Sequence, residues 1–138
     1  MSTATMADGQ GNQSIPDGLR WAYLLHAIGG GVFGLAWLFI PKLYESWVKW
    51  GTLDPTITRL YGGAILSIAF SSWLGYRAEA WSHVQLLVRF DIALSVLTAM
   101  AGLYEVLLAD GPVFTWVIIA IGVFFTIAFS YYFTQLHG

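Results

Sequence analysis

The sequence predicts an all-α protein: an antiparallel four-helix transmembrane bundle with a short interfacial segment between helices 1 and 2. Three observations predict it. Of the 138 residues, 57% are hydrophobic, and the mean hydropathy is +0.66. Only 10% are charged, against about 25% in a soluble domain. Apolar residues gather in four runs, near 19–40, 56–76, 84–108 and 113–136. Each run holds about 21 to 25 residues, enough at 1.5 Å per residue to cross a hydrocarbon core about 30 Å thick. Lipid offers backbone groups no hydrogen-bond partner, so such runs must be helical.

The elements follow in order. Residues 1–18 are small and polar, without a basic start or the apolar core of a secretory signal, and read as a mobile aqueous tail. The first run closes at Pro41. In the 41–51 segment, Leu43, Tyr44, Trp47, Val48 and Trp50 recur at helical spacing, opposite Lys42, Glu45 and Lys49. That pattern suits either a short helix lying in the interface or a loop with aromatic anchors. Asp54-Pro55 reads as an N-cap followed by proline at the first helical position. Ala109-Asp110-Gly111-Pro112 reads as a tight helical hairpin turn, and short connections make sequential helices antiparallel neighbours.

With four spans, both termini and the 77–85 loop share one side, here side A. The 41–55 segment and the 109–112 turn share side B. Arg20, Arg77 and Arg89 lie on side A, against Lys42, Lys49 and Arg59 on side B. Three against three gives the positive-inside rule no preference, so the orientation stays open.

Composition excludes several functions. A formal net charge of −2 leaves no basic field for nucleic acid. The absence of cysteine excludes disulfides, iron–sulfur ligation and thiol catalysis. No Ser/His/Asp arrangement, phosphate loop or metal box is present, so neither catalytic nor metal-binding residues are assigned and the chain is read as a non-enzyme. Gly29-Gly30-Gly31 sits within an apolar run and serves close helix approach, not a nucleotide.

The third run carries the most informative pattern. Asp91, Ser95, Thr98, Gly102 and Glu105 fall on one helix face. A polar, small stripe in lipid should face the bundle interior, as packing contacts or as a polar seam. The other runs carry small stripes too: His26, Gly30 and Gly34; Arg59, Gly63, Ser67 and Ser71; Thr115, Gly122, Thr126 and Ser130. Arg59 and Glu105 each lie about a turn from side B, and are expected to pair inside the bundle.

His26, His83 and His137 all belong to side A. His26, with Arg89 and Asp91, is the candidate ligand-binding set, opening on side A. Arg89 and Asp91 lie two apart and so point in different directions. The plainer reading has His83 and His137 solvated at the interface and His26 bonded to a neighbouring helix. Tryptophans and tyrosines near the run ends form the usual interfacial belt.

Asp54-Pro55, then Arg59-Leu60-Tyr61-Gly62-Gly63-Ala64, then Arg77 in a loop, resembles the layout of the DoxX-like group of small four-span prokaryotic membrane proteins. The likeness covers about the last two thirds of the chain and implies four helices, with no functional residue carried over.

The expected role is a non-catalytic accessory or assembly subunit of a larger membrane complex, energy transduction included. The alternative is a binder or carrier of an apolar ligand such as quinone, carotenoid or lipid. Expected partners are membrane lipids and other transmembrane subunits, not nucleic acid. No cofactor is expected beyond bound lipid; haem, quinone or pigment are the groups a histidine site would serve. The expected location is a prokaryotic inner membrane, crossed several times.

Overall fold

The computed structural model describes residues 13–51 and 53–137, without the side chain of His137. Among the described residues, five helices follow in order: α1 (Asp17–Phe39), α2 (Pro41–Val48), α3 (Pro55–Arg77), α4 (Trp81–Leu108) and α5 (Thr115–His137). The described residues contain no strand, only an isolated bridge between Ser14 and Ala80.

Local chemistry sets the breaks. Ile40 leaves the helical region at φ −129° and ψ 48°, as a residue before proline tends to. Pro41 then opens α2, where its missing N–H costs nothing. The segment after Pro41 therefore begins as a helix and not as a loop. It ends at Lys49, which adopts left-handed φ 56° and donates its N–H to the Glu45 carbonyl. Asp54 caps α3 as the sequence predicts: one carboxyl oxygen accepts the Thr56 and Ile57 amides at 2.8 and 2.9 Å. Asp54→Ala should cost about 0.5–2 kcal/mol, read as a lowered thermal midpoint in detergent. An unchanged midpoint would show the cap to be idle.

The long helices form two antiparallel pairs, α1 with α3 and α4 with α5. Glycine lets each pair close. A β-carbon at Gly62 would lie 2.6 Å from the Leu38 amide nitrogen and 2.9 Å from the Gly34 carbonyl oxygen. One at Gly122 would lie 2.9 Å from the Ser95 carbonyl oxygen. These are backbone-to-backbone approaches, which lipid-embedded helices reach through small residues.

Three expectations are corrected. First, α3 packs through Thr58, Gly62, Ala69, Ser72 and Gly75, not through Arg59, Gly63, Ser67 and Ser71. The true face lies one residue away, about 100° around the helix. Second, α3 and α4 are adjacent in sequence but touch little. Extended backbone at Ala78 and Ala80 carries the chain across from one pair to the other. Third, residues 13–18 are not a mobile tail. The Trp81 amide donates to the Gln13 carbonyl at 2.8 Å, and Ile15 is buried beside Leu19 and Trp81. The rest of that tail, 1–12, lies outside the described residues.

The pairs meet at both ends. On side A, Leu19, Tyr23, Trp81, Val88, Phe125 and Phe129 form a buried core. On side B, Tyr44 of α2 turns inward against Phe33, Trp37 and Phe114, at ring separations of 6.5, 5.7 and 6.2 Å. Leu43 and Trp47 remain exposed on α2. α1, α4 and α5 are long and apolar enough to cross a membrane. α3 matches α1 in length but is richer in hydroxyl residues and carries Arg59.

Candidate functional site

The two pairs bring His26 of α1, Ser72 of α3 and Asp91 of α4 together. His26 Nδ1 and Ser72 Oγ share a hydrogen bond of 2.9 Å. The same nitrogen lies 3.9 Å from an Asp91 carboxyl oxygen. That is too long for a hydrogen bond. The imidazole is clamped by rings of α5, 4.5 Å from Phe125 and 5.7 Å from Phe129. Its Nδ1 edge is thus engaged, leaving Nε2 as the ring nitrogen available to another molecule.

Asp91 is the unusual member. It is 0% exposed, and neither carboxyl oxygen has a hydrogen-bond partner. Tyr23, also fully buried, has an unpartnered hydroxyl and lies within electrostatic reach of Asp91. A buried polar group left unbonded costs about 1–3 kcal/mol. Such groups persist where function holds them in place. At 1.5 Å per residue, Asp91 lies about 15 Å along α4 from its first residue. That is deeper than its place near the start of the apolar run suggested.

Toward side B from this cluster lies a cavity of about 280 Å³, between the two pairs. That is close to the lower end of ligand pockets, roughly 300–1,000 Å³. Its polar wall is His26, Ser95 and Thr98, and its far end is Phe33 and Trp37. Isoleucines of α3 and α5 make up much of the remainder. The Thr98 hydroxyl donates to the Leu94 carbonyl at 2.8 Å, which ties it into its own helix. No lysine or arginine lines the cavity.

The predicted residues divide. His26 and Asp91 come together. Arg89 does not join them: it is exposed, with its guanidinium 5.3 Å from the Phe133 ring centre. Its position two residues from Asp91 turns it outward. Nor do Arg59 and Glu105 pair. Arg59 is exposed, and α3 and α4 are not packing partners, so equal depth does not bring the charges within reach. His83 is exposed in the first turn of α4, away from the His26 cluster. The His137 side chain lies outside the described residues.

Sequence reasoning missed Ser72, Phe125, Phe129 and Tyr23. Ser72 was lost to the one-residue error in the face of α3. The i, i+4 spacing of Phe125 and Phe129 was a usable signal for a shared aromatic face. Comparison with known protein families, with curated proteins and with solved structures finds no match to this chain.

Proposed function

We propose that the chain is a four-span membrane protein that binds an apolar ligand in the cavity between its helical pairs. His26 supplies the ligand's polar contact, and Asp91 and Ser72 hold the imidazole in register. The observation that carries this reading is the conjunction of an apolar cavity with one half-engaged histidine and a buried carboxyl group lacking partners. Binding sites in membrane bundles combine an apolar wall with few convergent polar groups, and ionisable residues at membrane depth mark function. In this reading α3 crosses the membrane with the other long helices. Thr58 and Ser72 are buried in the pair, Ser67 and Ser71 donate to carbonyls of their own helix, and Arg59 extends to the side B interface.

The test is extraction from native membranes in mild detergent, followed by mass spectrometry and a visible spectrum of the purified chain. A stoichiometric apolar molecule is expected, and His26→Ala should reduce its retention about tenfold or more. A purified chain that carries no such molecule would overturn the reading.

The accessory-subunit role is the second reading. It draws on the short connections and on exposed apolar side chains such as Trp21, Phe39, Phe70 and Trp116, which suit partner helices as well as lipid. It predicts a particle in native membranes much larger than the chain alone. The DoxX-like likeness and a prokaryotic inner membrane are compatible with both readings.

A further inference from the structure

The shape and charge of the cavity restrict what it can hold, if the ligand-binding reading is right. Its lining follows α1 from His26 to Trp37, eleven residues or about 16 Å. A volume of about 280 Å³ spread over that length averages about 17 Å² in cross-section. That makes a narrow slot, partly open along its length, which suits a slim single-chain molecule better than a two-chain lipid, a porphyrin or chlorin ring or a rigid membrane-spanning polyene.

The two ends differ in chemistry. Hydrogen-bonding side chains gather at the His26 end, whereas Phe33, Trp37 and Ile118 enclose the other. An anionic head has no cation to meet, because no lysine or arginine lines the cavity. An unpaired anion buried at that depth is costly. A neutral oxygen, carbonyl or hydroxyl, meets no such penalty and gains a hydrogen bond from the imidazole.

We infer that the ligand is a neutral single-chain amphiphile, held with its hydrogen-bonding head at His26 and its chain directed toward Trp37. Quinones and quinols with one alkyl or isoprenoid chain fit this description; fatty acids, phospholipids and carotenoids do not.

The experiment uses the full chain, purified in detergent and stripped of lipid, with three probes offered separately. They are decylubiquinone, decanoate and β-carotene, and the readout is co-elution on gel filtration. Decylubiquinone should be retained near one per chain, the other two not. His26→Leu should weaken retention about tenfold. Thr98→Leu, which fills the middle of the slot without touching the polar cluster, should weaken it at least as much. Circular dichroism and elution volume establish that each variant is folded. Retention of decanoate or β-carotene in preference to decylubiquinone overturns the inference and leaves the cavity a ligand site. Retention of none of the probes, by a chain that carries a molecule from native membranes, overturns the inference alone. Retention of none, by a chain that carries nothing from those membranes, overturns both.

Discussion

Gly62→Leu should separate α1 from α3 and cost about 2–3 kcal/mol or more, whereas Gly63→Leu should cost nothing and gain up to about 1 kcal/mol. The contrast lies in what a side chain would meet. At Gly62 a β-carbon meets the Leu38 nitrogen at 2.6 Å, the Gly34 oxygen at 2.9 Å and the Leu38 α-carbon at 3.0 Å. All three are backbone atoms of α1, so no rotamer change relieves the clash and the helices must move apart. At Gly63 nothing lies within 4 Å. Leucine there also gains helix propensity, worth about 1 kcal/mol against glycine. Thermal unfolding in mild detergent, followed by circular dichroism, measures both. Equal losses from the two variants would place the packing face of α3 elsewhere.

Phe129→Ala is expected to be the most damaging single truncation, at about 3–5 kcal/mol. Phe129 is 0% exposed and sits where the two helical pairs meet. Its ring centre lies 5.1 Å from Tyr23, 5.7 Å from His26 and 5.8 Å from Phe125, the last in a stacked arrangement. Within a bilayer, lipid is as apolar as the protein interior, so the loss comes from dispersion contacts across the void. Phe129→Leu keeps much of the volume and should lose about 1.5 kcal/mol or less. The same truncation removes one of the two rings that clamp the imidazole, so ligand retention should fall even at temperatures where the variant remains folded. A loss below about 1 kcal/mol would show that the pairs are held together elsewhere.

Much of this architecture was legible in the sequence because hydropathy and helix-stop chemistry are local. The four long helices, the Asp54 cap, the break at Pro41 and the inward face of α4 through Asp91, Ser95 and Gly102 all follow from spacing along one segment. The partner of each helix did not. A stripe of small residues can be drawn through Gly63 at an even spacing of four, or through Thr58, Gly62, Ala69 and Ser72 at uneven spacings, and the more regular one is not the one that packs. The choice comes from the backbone of α1 pressed against Gly62, which only the assembled pair supplies. The Arg59–Glu105 expectation failed for the same reason, since depth is readable from sequence and azimuth is not. The candidate site shows the same division. His26 and Asp91 stood out as rare ionisable residues in apolar runs. Ser72 and the α5 rings became visible only once the pairs were docked.

The strap that joins Gln13 and Ser14 to the start of α4 has a consequence for how the molecule assembles. Each helical pair closes between segments near in sequence, and near segments find each other quickly. The strap links positions on either side of the whole first pair, so its ladder partner exists only after α1, α2 and α3 have been made and the chain has turned into α4. The first pair can form while synthesis continues; the second forms behind it. The N-terminal segment can latch only once the chain has entered α4, and it then ties the side A end of the first pair to the start of the second.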